Sequence, residues 1–285
     1  MKKVLLVICM LSGGGLAWAQ TAPPLASASA FAVLSAAPAA AGAVTCTNSA
    51  ITGAVGSSGP ATSIVRTVCP IAGAIIAPVS GQVLADFNTA YDALAPKPLD
   101  CDGAHTLLST IPAPLTLLPG VWCTPAALTG TSVVLTLDGG GNSNAVWIFK
   151  IGSGTPATGA LTGTGFSVVL INGGQPCNVF WWVAQAVTMT NSNFVGTILA
   201  GAAITSTGGP TGGTFVGRAM GKAGVTLTGT TVTDNCLGQI QGGGGDDDDH
   251  RGCKNDDDDR DKDHHDKDKD HRDKDKDHPD KDHKD

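Results

Sequence analysis

The sequence predicts a mostly β protein, wound as a β-solenoid of short coils with one α-helix packed along its side. Three observations predict this class. "NFVGTI" at Asn193 and "TFVGRA" at Thr214 place Phe194 and Phe215 21 residues apart, and the pairs Thr205/Thr207 and Thr226/Thr228 keep the same offset of 21. Short alternations of apolar and polar residues, separated by Gly, Asn and Ser, fill most of the chain as half-buried strands would. One stretch alone, from Val79 to Leu94, carries helical periodicity.

Taken in order, the chain opens with Lys2 and Lys3, an apolar run from Val4 to Leu11, and "AWA" at Ala17 to Ala19. This is the pattern of an export signal, so residues 1–19 are expected to be removed before Gln20 and the protein to be secreted. No later segment reaches the roughly 18 to 20 consecutive apolar residues of a membrane helix. Residues 20–27 form an Ala- and Pro-rich extension, and "FAVLSA" (Phe31 to Ala36) reads as the first strand of a domain over 28–241. The helix follows, with Val83, Leu84, Phe87, Ala90, Tyr91 and Leu94 at three- and four-residue steps, until Pro96 and Pro98 stop it. Thr188/Thr190 stands 17 residues before the next pair, and "LTGTG" from Leu161 and "VLTLD" from Val134 look like looser turns of the same repeat. Coils of about 20 residues would stack at about 4.7 to 4.9 Å around a thin apolar interior. Two packed sheets of an ordinary sandwich are the alternative.

Charge is distributed unevenly. Residues 246–285 hold 19 Asp against 11 Lys and Arg, a balance of −8, whereas residues 20–245 hold 6 Asp against 5 basic residues and 30 threonines. The chain has no Glu. Five basic residues in the body give no footprint for nucleic acid. Catalysis needs clustered carboxylates or a base beside them, and Asp86, Asp92, Asp100, Asp102, Asp138 and Asp234 are scattered. The body has a single histidine, His105, and no G-x-S-x-G, so an enzyme is not expected, nor any cofactor.

Seven cysteines remain after the signal, six of them in the body. In an exported chain they read as disulfide partners, with fifteen possible connectivities. Pairing neighbours gives Cys46 with Cys69, Cys101 with Cys123, and Cys177 with Cys236. No C-x₂-C spacing suggests zinc.

"NAVWIFKIG" (Asn144 to Gly152), "SVVLINGGQPCNVFWWV" (Ser167 to Val183), "SNFVGTILAGAAIT" (Ser192 to Thr205) and "FVGRAMGKAGVTLTGTTVT" (Phe215 to Thr233), with "LPGVWC" (Leu118 to Cys123), resemble the ice-binding protein family of bacteria, diatoms and fungi. The resemblance covers about residues 28–237. It implies a right-handed, discontinuous β-solenoid in which N-terminal and C-terminal coils do not stack in chain order. It also implies an exported monomer whose partner is ice, as an antifreeze or inhibitor of ice recrystallisation. "GGPTGG" (Gly208 to Gly213) departs from the pattern by inserting a loop into a threonine-bearing coil.

That implication gives the threonines a chemistry. Outward side chains on stacked coils form an array spaced about 4.8 Å across coils and about 6.6 Å along a strand, the first being close to a repeat of the ice lattice. A β-branch restricts χ1, so each methyl and hydroxyl is positioned before ice arrives. The expected site is Thr188, Thr190, Thr205, Thr207, Thr226, Thr228, Thr231 and Thr233, with "VTLTGTTVT" (Val225 to Thr233) read as one strand with an irregularity at Gly229. "SVVLI" (Ser167 to Ile171) would leave the array incomplete at Val169 and Ile171. The competing function is an exported structural or adhesion scaffold with ordinary solvated strands.

Residues 242–285 begin with "GGGG" and continue as an Asp-, Lys- and His-rich tail without an aliphatic or aromatic side chain, which predicts disorder. It is a solubilising or tethering extension, or a weak site for divalent cations through Asp oxygens and histidines such as His264 and His265.

Overall fold

The computed structural model describes residues 21–37, 39, 43–97, 100–101, 103–209 and 213–236. The expectations for the signal segment, for Asp102 and for the tail with His264 and His265 lie outside these residues.

The described chain is mostly β, in parallel sheets with one helix. Seven four-residue strands form one sheet in the order Ile64–Thr67, Val44–Thr47, Val225–Thr228, Ile204–Thr207, Val187–Thr190, Leu161–Thr164 and Leu128–Thr131. A second sheet of 13 strands supplies the other sides of the same coils. Stacking departs from chain order, because Val44–Thr47 pairs with Val225–Thr228 and Phe31–Ser35 pairs within Gly213–Gly221. The N-terminal coils therefore sit on the C-terminal one.

Six of the seven strands leave this sheet at a residue in the left-handed region, immediately after the last threonine; the exception is Ile204–Thr207, which is followed by Gly208. Asn48 (φ 47°), Ser132 (50°), Gly165 (58°), Asn191 (48°) and Gly229 (60°) occupy this corner. Their amides donate to the next coil: Asn48 to the Thr67 carbonyl, Ser132 to Thr164, Gly165 to Thr190, Asn191 to Thr207 and Gly229 to Thr47, all at 2.8 to 2.9 Å. Asn and Gly adopt this conformation at little cost. Val68 does not, yet it sits there at φ 51° and is 75% exposed. Val68→Asn is therefore expected to stabilise the fold by about 1 kcal/mol through relief of backbone strain, read as a higher midpoint in chemical denaturation.

A different corner uses Gly196 (φ 115°) and Gly217 (φ 138°) inside the strands Asn193–Ala200 and Gly213–Gly221. A Cβ on Gly217 would overlap the backbone of Gly196, so the two coils approach here as only glycine allows.

The core has two layers. Inside the coils an aromatic column runs through Phe149 and Trp181 (stacked, centroids 3.8 Å apart), Phe194 (4.8 Å from Trp181) and Phe215 (5.3 Å from Phe194). Outside one face lies the helix α1, Gly81–Leu94, started by the Ser80 hydroxyl, which accepts from the Val83 amide. Its buried stripe of Val83, Phe87, Ala90, Tyr91 and Leu94 covers Leu34, Phe180, Trp182, Leu199 and Met220. Strand alternation thus sends Trp181 into the coil and Trp182 under the helix.

Three disulfides join Cys46 to Cys69, Cys101 to Cys123, and Cys177 to Cys236. Among the described residues no helix is long and apolar enough to cross a membrane, and no group of three metal-ligating side chains occurs.

The acidic residues are tied into the scaffold. Asp86 accepts from the Ser27 hydroxyl and amide and from Gln82, which lower its pKa. Burial alone would raise Asp100, but Lys150 at 2.5 Å and the Lys97 amide bring it below the usual value. The Gly140 amide and Asn172 lower Asp138. A depressed carboxylate stabilises the fold above its unfolded pKa and loses that contribution as pH falls through the folded one. The melting temperature should consequently hold near neutral pH and drop below about pH 4, the ordinary Asp range. A melting temperature that stayed level down to about pH 2 would show that these bonds contribute nothing.

Candidate functional site

Six strands of the seven-stranded sheet repeat one local sequence, an apolar residue followed by T-x-T; in the seventh, Ile64–Thr67, Val65 replaces the first threonine. The first apolar residue points inward, at Val44, Val225, Ile204, Val187, Leu161 and Leu128, all buried. The residue between the threonines also points inward and fits the space available. Gly130 and Gly163 take this position where larger side chains fill the coil: a Cβ on Gly130 would lie 2.8 Å from the Phe166 ring, and one on Gly163 2.5 Å from the Met189 sulfur and 3.3 Å from the Phe166 ring.

Outward, strict register makes two ladders. One runs Val65, Thr45, Thr226, Thr205, Thr188, Thr162, Thr129. The other runs Thr67, Thr47, Thr228, Thr207, Thr190, Thr164, Thr131. The second ladder is threonine throughout. In these seven strands the only charged residue is Arg66, on the outermost coil.

Thr188, Thr190, Thr205, Thr207, Thr226 and Thr228 are therefore brought together on three adjacent coils. Thr231 and Thr233 are not. Gly229 turns the chain, and Thr230–Thr233 is a separate strand of the 13-stranded sheet, paired with Gly213–Gly221 and Ala50–Thr52. "VLTLD" is likewise set apart, because Val134–Asp138 pairs with Ser167–Ile171 in the larger sheet. For the same reason Val169 and Ile171 interrupt nothing: their coil contributes Leu161–Thr164 to the threonine sheet. The "GGPTGG" insertion follows Thr207; its flanking Gly208 and Gly213 amides donate to the Thr228 and Gly229 carbonyls of the neighbouring coil, and the ladders stay in register through Ile204–Thr207.

The site expected from the sequence omits Thr45, Thr47, Thr67, Thr129, Thr131, Thr162 and Thr164, although "LTGTG" from Leu161 reads as a turn of the repeat. The signal was present. "LTGT" occurs at both Leu128 and Leu161, "VTCT" occurs at Val44, and in each T-x-T is followed by Asn, Gly or Ser, the left-handed corner residue.

The chain is similar in sequence and fold to known proteins. The chain is 37% identical over 134 residues to ice-binding protein 1 of Shewanella frigidimarina, covering 47% of this chain and 14% of that protein. It is 36% identical over 167 residues to an ice-binding protein of a Nostoc species, covering 57% and 56%. The crystal structure of an ice-binding protein from an Antarctic Flavobacteriaceae bacterium superposes with a TM-score of 0.62 at 35% identity, covering 75% of this chain and 47% of that one. In both curated relatives the match spans less than two thirds of their length. The family model described as ice-binding-like matches residues 37–233, more than half of the chain. With its coils, helix and threonine ladders in place, this chain belongs to the ice-binding-like family.

Proposed function

We propose that the protein is secreted, after cleavage between Ala19 and Gln20, and adsorbs to ice through the seven-stranded threonine sheet, acting as an antifreeze or inhibitor of ice recrystallisation. The observation that carries this reading is the pair of ladders, one threonine at seven of seven coils and the other at six of seven. Register fixes the lateral spacing at about 4.8 Å and the spacing along each strand at about 6.6 Å. The β-branches fix the side chains, so little ordering remains to oppose binding. Methyl groups order the adjoining water while hydroxyls anchor it, and no charge within the array disturbs that layer.

The reading extends to a right-handed, discontinuous β-solenoid with a disordered tail, and to a monomer needing no cofactor and performing no catalysis. The tail is assigned to solubility or to weak capture of divalent cations, not to the fold. Deleting residues 246–285 should leave the melting temperature unchanged, since that segment has no apolar side chain to bury. A loss of several degrees would show that it docks.

Slow growth of ice from a dilute solution of the purified protein tests the function. An adsorbing protein is enriched in the ice fraction, whereas a scaffold without ice activity is excluded into the remaining liquid like any solute.

A further inference from the structure

We infer that the molecule carries a second ice-contacting face, around the corner from the threonine sheet, and so adsorbs to two classes of ice plane; this rests on the ice-binding reading above. The face belongs to the same coils. One outward column runs through Ala50, Thr231, Thr214, Asn193, Ser167 and Val134 in unbroken register. A neighbouring column passes through Thr233 and Val216 at one end and Val169 and Thr136 towards the other.

Four features set this surface apart from an ordinary solvated sheet. Neither column contains a charged side chain. Most members are Thr or Val, whose β-branches hold a single outward shape. Val134, Val169 and Ile171 stay 47%, 42% and 38% exposed on two paired strands, a contiguous apolar patch rather than scattered single residues. Adjacent coils are also linked across the face, where the Thr214 hydroxyl donates to Asn193 Oδ1 at 2.7 Å. The helix does not cover it, since α1 packs on the side formed by Phe180, Trp182 and Leu199.

The corner joining the two faces is stitched by buried bonds. The Thr230 amide donates to the Ser49 hydroxyl (3.0 Å), Thr230 and Ser206 hydroxyls lie 3.1 Å apart, and the Phe166 amide donates to the Ser192 hydroxyl (3.2 Å). Two rigid faces meeting at a fixed edge cannot lie on one crystal plane together. Each must take its own. Thr231 and Thr233, which the sequence grouped with the main array, are the threonine-rich end of this second face.

Ice hemispheres grown in the presence of the full chain, fused at its C-terminus to a fluorescent protein, test the proposal. Wild-type protein is expected to stain two classes of ice plane. Thr207→Tyr should lose one class and keep the other, and Thr214→Tyr with Val169→Lys should show the reverse pattern. In each variant the class that persists confirms a folded protein. The second face is overturned if Thr207→Tyr abolishes all staining while its circular dichroism matches wild type, or if the paired variant stains like wild type. It is also overturned if sedimentation finds a wild-type dimer that the paired variant makes monomeric, because a second copy would then occupy the face. Wild-type protein that stains no plane would remove the ice-binding reading itself, and the second face with it.

Discussion

Thr207→Tyr is expected to reduce thermal hysteresis about tenfold and to abolish adsorption to the planes that the threonine sheet contacts. The demand is modest, because a ring standing above a rigid array holds its neighbours off a flat target. Thr207 is the fourth of seven residues in the unbroken ladder, between Thr228 and Thr190. It is exposed, so a larger side chain points into solvent and leaves the core untouched. The array does not adapt around it, because backbone register fixes every neighbour. Circular dichroism and the melting temperature should match wild type. The same substitution at Thr131, the last rung, should cost far less, since a flat contact can form beside it. Equal activity of wild type and Thr207→Tyr would exclude this sheet as the site.

Arg218→Met is expected to destabilise the fold by about 3 kcal/mol, lowering the melting temperature by about 6 to 12 °C for a body of this size. The Arg218 Nε donates to Asp234 Oδ2 at 3.0 Å, with both side chains almost wholly buried. Burial raises the Asp234 pKa against the pull of Arg218, and lowers that of Arg218 against Asp234. Removing one partner strands the other in an apolar site, which is the costly case for a buried pair. Asp234 also accepts from the Cys236 amide at 2.8 Å, next to the disulfide with Cys177. The pair therefore pins the strand Thr230–Thr233 where it meets the N-terminal coil at Ala50–Thr52. The double variant Arg218→Met with Asp234→Asn should recover much of the loss, because no uncompensated charge remains. An undiminished melting temperature in Arg218→Met would show that the pair does not hold this junction.

Local patterning made part of this molecule legible. The helix expected over Val79 to Leu94 is found at Gly81–Leu94, and the first strand begins at Phe31 in both readings. The T-x-T pairs at Thr188, Thr205 and Thr226 lie in adjacent rungs because a period near 20 residues is one coil. Alternation cannot say which side of a coil a strand occupies, since every side shows the same period of two. That ambiguity misplaced "VLTLD", and it led Val169 and Ile171 to be read as gaps in the array. Gly229 signalled an irregularity, but a left-handed corner and a bulge need the same residue. The stacking of Val44–Thr47 on Val225–Thr228 joins segments about 180 residues apart, and only the resemblance implied it. Thr45 and Thr47 were missed for that reason: their partners are invisible until the coil order is known.

The central claim is that a register-locked threonine sheet makes this protein adsorb to ice, and watching a single ice crystal in a solution of the unmodified protein tests it most directly. Held slightly below the melting point, the crystal should develop flat facets and stop growing until the temperature falls below a lower threshold. A rounded disc that expands at the rate seen in buffer alone would contradict the account, and would leave the threonines as the solvated surface of an exported scaffold.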